Sequence, residues 1–468
     1  MATLIEQHPL YDTLPVGQDV IFTVSNTSVV SSYTNVKFIA EVHISSTFAP
    51  NPSTNTDVVG TFKTTPNNAG VGMFDFRPII ESFVNADNLA RQGSAYKTVV
   101  NTSETNVPIH LIDKFSGNVN SMRYLVIQFK VQYIDAAGNL VNTGAVNSDL
   151  YQLLNGYLKY TDVLDLVGNN FGYNLNSFNL NGSSKSFLTN APTTQYANLE
   201  DYGTLGLWMV NGYSASNVNG IGGVRATYYD SDGNYISDEE IYSYAANGGF
   251  NTNNGYIGTN LLFFGCFPAN LQGSSTMFQN LVSAGTIQGG HYELVVLSDP
   301  GQIISLIYTV NLNCPTLKGF EPIRLTWLNQ WGTWDYYTFT MKSSKTISTQ
   351  GSTYQQLAGS WNQSAYRIDS FKGGKKAFRV NATEKISMNT DFVSESESEW
   401  FEELINSPEV YILKGYEDVV ETSSALNQYV TPVRLTTSNY TKKTVANDKL
   451  MQYTFEVEKS KTLRTQAV

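Results

Sequence analysis

Two-residue alternation of apolar and polar positions runs through most of the chain. TLPVGQDVIFTVSNTS, NVKFIAEVHISS, VVGTFKTT and MRYLVIQFKVQYID each alternate, are rich in β-branched and aromatic residues, and are parted by clusters of Asn, Pro and Gly. That is the pattern of strands in an antiparallel sandwich. One helical period interrupts it. After Asp75-Phe76-Arg77-Pro78, the run IIESFVNADN puts Ile79, Ile80, Phe83 and Val84 on one face. Pro78 suits a first turn, so a helix is expected that ends near Asn88. Residues 1–155 are expected to form an N-terminal β-sandwich domain with one short helix.

From Leu150 to about Asn181 the passage YQLLNGYLKYTDVLDLVGNNFGYNLNSF has no clean period, as a linker or a loop laid across two sandwiches would. FLTNAPTTQYANLEDYGTLGLWMV then opens a second alternating region, continued by GVRATYYD, LLFFGCF, HYELVVLS and SLIYTVNLNC. The stretches between them, ASNVNGIGG, AANGGFNTNNG and NLQGSSTMFQ, are expected to be long loops of the kind that carry contacts. A second β-sandwich domain is therefore placed at 156–318. QYIDAAGNLV and TYYDSDGNYI resemble each other: Tyr133, Asp135, Gly138 and Asn139 align with Tyr228, Asp230, Gly233 and Asn234. Either the two sandwiches are a tandem repeat, or two hairpins share one turn chemistry.

The segment 319–468 differs in character. It begins with GFEPIRLTWLNQWGTWDYYTFTMK, which holds three of the six tryptophans, Trp327, Trp331 and Trp334. Ile323, Leu325 and Trp327 alternate with Arg324, Thr326 and Leu328, and Tyr337, Phe339 and Met341 with Thr338, Thr340 and Lys342, so a hairpin is expected with its turn at Asn329 to Thr333. Such a cluster either nucleates a domain core or fills a contact with another subunit. Asp335 is a turn-capping carboxylate on one reading and a catalytic one on another. Further strands are expected around Tyr354 to Val380. A helix follows, with Ser396 and Glu399 as its capping box, Trp400, Phe401, Leu404 and Ile405 as its apolar stripe and Asn406-Ser407-Pro408 as its stop. LMQYTFEVEKS puts Met451, Tyr453, Phe455 and Val457 on one face. An uncovered terminal strand and basic tail of this kind pair with a neighbouring subunit's sheet. The fold expected is mainly β: tandem antiparallel β-sandwich domains followed by a smaller α+β C-terminal domain, with its helix near 397–406. The residues expected at a subunit interface are Trp327, Trp331, Trp334, Tyr453, Phe455 and Arg464.

Charge narrows the function classes. The formal net charge is −11, which argues against a genome-binding role, since phosphate contacts need surplus Lys and Arg. Basic residues nonetheless gather at Arg367, Lys372, Lys375, Lys376, Arg379 and Lys385, and again at Lys442, Lys443, Lys449, Lys459, Lys461 and Arg464. These are either solvated strand faces or docking points for an acidic neighbour. The first residues lack a basic segment followed by an apolar run, so no secretory signal is expected, and triplets such as Asn101-Thr102-Ser103 carry no glycosylation argument without one. No apolar run of about 18 residues predicts a membrane span. Cys266 and Cys314 have no metal spacing and are expected as buried thiols, a single disulfide between them being the alternative.

Chemistry is harder to find. The histidines His8, His43, His110 and His291 fall in no zinc motif, NGIGGV is too irregular for a nucleotide loop, and no nucleophile elbow is present. In DSDGNY, Asp230, Asp232, Asn234 and Glu239 or Glu240 suggest a calcium loop, but Gly233 is fourth where the EF-hand needs it sixth. The glutamates at 395, 397, 399, 402 and 403 suit a helix N-terminus, although glycosidase carboxylates leave no short motif. No enzyme activity and no cofactor are expected.

WLNQWGTWDYYTF resembles a pattern in virion structural proteins of tailed bacteriophages, particularly those of marine phages and of phages that infect Bacteroidetes. The resemblance extends patchily to GTFKTTPNNAGVGMFDFRPIIESFV, FLTNAPTTQY, EWFEELINSPEVYI and KLMQYTFEVEKSKTLRTQ. It implies a place in a particle rather than a chemistry: made in the host cytoplasm, released by lysis, and partnered by copies of itself and by other virion proteins in the tail, baseplate or collar. A host-glycan-binding or glycan-degrading recognition protein and a capsid-surface or vertex decoration protein are the alternatives.

Overall fold

The computed structural model describes residues 2–46, 50–53, 57–90, 107–159, 162, 164–165, 172–209, 221–243, 260–298, 301–313, 320–361, 364–414, 429–437, 439–441 and 451–464. AANGGFNTNNG, most of ASNVNGIGG, Asn101, Cys314, Lys442, Lys443 and Lys449 lie outside them. The chain forms two compact units. One is 1–315 with 328–336 and 415–428; the other is 316–327, 337–414 and 429–468.

The first part of the larger unit contains β1 (Leu4–Gln7), β2 (Thr13–Pro15), β3 (Ile21–Ser25), α1 (Thr27–Ser32), β4 (Thr34–Ser45), β5 (Val58–Thr64), β6 (Val71–Asp75), α2 (Arg77–Ile80), β7 (Phe115–Gly117), β8 (Met122–Ile134), β9 (Leu140–Asn142), β10 (Val146–Asn147) and β11 (Tyr151–Leu154). One sheet runs β1-β3-β6 and the other β2-β11-β8-β4-β5. They enclose a core in which Phe22, Val24 and Phe74 meet Phe38, Ala40, Val42, Leu125, Ile127 and Phe129. The Phe22 ring centroid lies 5.7 Å from those of Phe129 and Tyr151. Burying each such ring stabilises the fold by on the order of 2–3 kcal/mol. The expected helix at 79–88 is only one turn: α2 passes into a 3₁₀ turn over Glu81–Phe83, and Val84 is extended. Tertiary demand overrides the helical period here, because Val84 is wanted in the interior and the Asp87 carboxylate is buried against the backbone of Val119 to Ser121.

The second part contains β12 (Leu164–Asp165), β13 (Gly172–Tyr173), β14 (Thr194–Ala197), β15 (Thr204–Trp208), β16 (Ile221–Tyr229), β17 (Tyr235–Ser243), β18 (Leu261–Gly265), α3 (Pro268–Ser274), α4 (Thr276–Ser283), β19 (His291–Ser298) and β20 (Tyr308–Leu312). Its sheets run β14-β20-β19-β16-β17 and β15-β18-β7. They pack through Tyr242 and Phe115, whose ring centroids are 4.7 Å apart, and through the Tyr292 hydroxyl, which donates to the Cys266 carbonyl at 2.7 Å. NLQGSSTMFQ is helical rather than a loop. Pro268 opens α3, and the Ser275 hydroxyl caps α4 by accepting the Phe278 amide at 2.8 Å. Phe278 then packs on Tyr228 and Tyr292. β7 comes from before residue 155 and pairs with β18, so the chain on both sides of that position shares one sheet and one compact unit.

The two sandwiches repeat one topology. Taken in chain order, β2, β3, β4, β5, β6, β8 and β11 correspond to β14, β15, β16, β17, β18, β19 and β20. In each set the first strand runs parallel to the seventh. The seventh pairs antiparallel with the sixth, the sixth with the third, the third with the fourth, and the second with the fifth. Pairing second with fifth and third with sixth is the Greek-key order of immunoglobulin-type sandwiches. In both, a proline three residues past the fifth strand lies in the first turn of a helix, Pro78 after Asp75 and Pro268 after Gly265. The sequence echo is out of register with this repeat, because it aligns β8, a sixth strand, with β16, a third strand. What it marks is a shared turn. Asp135 Oδ1 accepts the amides of Ala137 and Asn139, Asp230 Oδ1 accepts those of Asp232 and Asn234, and Gly138 and Gly233 have φ of 85° and 80°.

The smaller unit is built on β21 (Ile323–Leu328), β22 (Trp334–Phe339), β23 (Ser343–Gln356), β24 (Gly374–Asn389), α5 (Glu395–Asn406), β25 (Val410–Leu413), β26 (Val430–Leu435) and β27 (Thr454–Lys459), in sheet order β22-β21-β25-β26-β27-β24-β23. The Trp hairpin is present, and its tip, 328–336, belongs to the larger unit. α5 lies on the sheet through Trp400 and Phe401, with ring centroids 5.0 Å from Trp327 to Trp400, 4.9 Å from Tyr337 to Phe401 and 5.4 Å from Phe401 to Phe455. The capping box is Ser394 with Glu397, two residues before the pair expected. SESESE offers the same spacing in both registers, and the earlier one leaves Ser398 buried against Tyr453, to whose hydroxyl its own lies at 2.7 Å.

Candidate interaction site

Five of the six residues expected at an interface are interior. Trp327, Trp331, Trp334, Tyr453 and Phe455 are buried, and Arg464 is exposed. The cluster follows the other course open to it and fills cores. Trp327 and Phe455 sit under α5, as described. Trp331 packs on Phe178 with ring centroids 4.3 Å apart and donates its indole N–H to Asn190 Oδ1 at 3.2 Å. Trp334 donates to the Asp87 carbonyl at 2.8 Å and abuts His110 edge-on at 4.7 Å.

The hairpin tip is fixed by side chains. Asn329 Oδ1 accepts the amides of Trp331 and Thr333, each at 3.0 Å, so the turn is capped by an amide rather than by Asp335. Asp335 Oδ1 accepts instead from the Thr189 hydroxyl at 2.6 Å and the Asn329 side chain at 2.9 Å. The Tyr336 hydroxyl lies 2.9 Å from both His110 Nδ1 and the Thr204 hydroxyl. Gly332 has φ of 76°, and a Cβ there would fall 1.8 Å from the Asn155 carbonyl oxygen. These groups are spent on positioning the tip.

The other candidates resolve similarly. Hydrogen bonds from Asn234 and from the turn amides hold the Asp230 carboxyl below its usual range, so its oxygens serve the hairpin. Among the described residues no group of three or more His, Cys, Asp and Glu side chains is placed to hold a metal. Cys266 is buried. Burial pushes the Asp87 carboxyl above its usual range, against the donors from Ser121, Asn120 and Val119. β27 is not a sheet edge: β24 and β26 pair with it on either side, and past it Leu463 bridges Ala382. The sheet's edges are β22 and β23.

Among the described residues, an extended exposed feature is the β23–β24 hairpin. β27 pairs with β24 only from Lys385 to Asn389, so most of the hairpin's length is a two-stranded ribbon. Its β23 residues from Ser344 to Gln355 are all solvent-exposed. Toward its end Leu357, Trp361, Tyr366, Ile368 and Phe371 are exposed, Phe371 at 76%. Trp361 stacks on Tyr366 at 5.4 Å. Asp369 takes an ion pair from Arg367 and another from Lys372. Lys376 and Arg379 turn instead to the Phe371 carbonyl and the Asn381 side chain. The basic cluster at 367–385 therefore belongs to one ribbon with an aromatic end, which strand alternation alone does not reveal.

No family model matches the chain, and no curated protein matches it. Among solved structures it is similar to the native conformation of E. coli alpha-2-macroglobulin, at 7% identity and a TM-score of 0.18, over 82% of this chain and 21% of that one. The chain thus spans about a fifth of that protein, and at this score the likeness carries no argument.

Proposed function

We propose that the protein is a structural component of a tailed phage particle, part of a symmetric assembly in the tail, baseplate or collar. The observation that supports this most directly is a pair of sandwiches of one strand order in tandem, followed by a unit with an exposed strand edge and an aromatic, basic ribbon. Exposed edges offer backbone pairing to neighbours, and exposed aromatics are the side chains that anchor protein contacts. The particle itself is suggested by the resemblance of the Trp hairpin and other segments to virion structural proteins. The role is scaffolding. Mass spectrometry of purified particles should find the protein in a copy number fixed by symmetry, and its absence from them would reject the reading. A reconstruction would distinguish the tail, baseplate or collar from a capsid-surface address.

The stacked, exposed Trp361 and Tyr366 favour a second reading, host-glycan recognition, because sugar rings stack on such faces. Glycan arrays and a reducing-sugar release assay test it.

A further inference from the structure

We infer that the β23–β24 ribbon docks head-to-tail onto an acidic surface of a second copy of this chain. The inference rests on the scaffold reading and specifies its contact. Charge is the main argument. Residues 343–389 hold seven Lys and Arg against two Asp and Glu. The whole chain holds 29 and 40, which leaves 22 against 38 elsewhere. A basic ribbon on a chain this acidic is complementary to the rest of its own kind, and such complementarity steers association and fixes register.

The same charges weigh against one symmetric contact. A two-fold contact that laid one ribbon along another would bring like charges together, with Lys375, Lys376 and Arg379 of each copy in proximity; among the described residues none of the three lies within 4.0 Å of a carboxylate that would neutralise it. A ribbon seated on the acidic body of the next copy avoids this. Such a heterologous contact closes into a ring or propagates. The apolar share comes from Leu357, Trp361, Ile368 and Phe371, which are exposed within one chain and would be covered in the contact.

The experiment uses the full-length chain. Sedimentation velocity across a concentration series is expected to show association at low salt that weakens as salt rises, since exposed charges are screened beyond about 10 Å at 0.1 M. The triple variant Lys375→Glu, Lys376→Glu, Arg379→Glu should weaken association by about tenfold or more, and Trp361→Ser with Phe371→Ser should do so independently. Neither should lower the Tm appreciably, because Trp361, Phe371, Lys375 and Arg379 are solvent-exposed and Lys376 is only half-buried. A photo-crosslinking residue in place of Phe371 should join residues of a second copy outside 343–389. A chain that is monomeric throughout, association indifferent to both variants, or cross-links from ribbon to ribbon would overturn the inference. So would ribbon-dependent binding to phosphatidylglycerol vesicles or to a glycan without self-association. Finding the protein in particles while both variants assemble normally would sink this contact and leave the scaffold reading standing. Ribbon-dependent association of a protein missing from particles would do the reverse.

Discussion

Single residues show where local chemistry and tertiary packing meet. His43 is fully buried, and neither ring nitrogen has a hydrogen-bond partner among the described residues. Burial holds its pKa below the ordinary 6.5, against the opposing pull of Glu41 and Asp57. The unfolded chain therefore takes up this proton first, and the contribution of neutral His43 is present above about pH 6.5 and lost as pH falls through the folded value. Urea unfolding between pH 7 and 5.5 should show stability falling by at most about 1.4 kcal/mol per pH unit from this group, and His43→Phe should flatten that part of the slope. An unchanged slope would assign it to other groups. Gly332 is a second case, with a positive φ and the Asn155 carbonyl where a side chain would go. Gly332→Ala should cost about 1–3 kcal/mol, read as a lower unfolding midpoint. A neutral result would mean that the tip relaxes away from Asn155.

At the scale of elements, long alternating runs were legible and short helices were not. β5, β8, β20 and the Trp hairpin fall in runs of two-residue alternation, because a sheet with one buried face imposes that period; β11, in the stretch expected as a linker or loop, is a strand buried along its whole length and so has no alternation to show. α1, α3 and α4 have at most eight residues, too few turns for a helical period to emerge, and the caps that define them fall in stretches rich in Asn, Ser and Gly. α5 was visible through its aromatic stripe, yet its cap was misplaced because SESESE repeats with a two-residue period. Ser394→Ala should therefore cost about 1 kcal/mol, measured by chemical denaturation, and Ser396→Ala much less. Equal costs would mean that both registers are populated.

At the scale of the whole molecule, the tandem arrangement could be suspected from a ten-residue echo, but the echo pairs a sixth strand with a third. Turn chemistry constrains a few residues tightly, whereas a sandwich topology accepts any apolar alternation in its strands, so sequence memory and structural repeat need not coincide. The candidate site was legible only in part. Basic residues at 367–385 were apparent as a group, but their union with Trp361 and Phe371 on one ribbon depends on the pairing of β23 with β24. The terminal strand and the tryptophans, which sequence alone makes look like contact surface, turn out to be interior.

What the sequence by itself determined is the β class, the change of character near residue 319, the acidic balance and the chemistry of individual turns, because these follow from side-chain period and backbone preference within a few residues. Tertiary structure alone decided which apolar residues are core and which are surface. Burial is a property of neighbours brought from far along the chain: Trp334 is enclosed by Asp87 and His110, while the equally apolar Phe371 meets no such cover within its own chain.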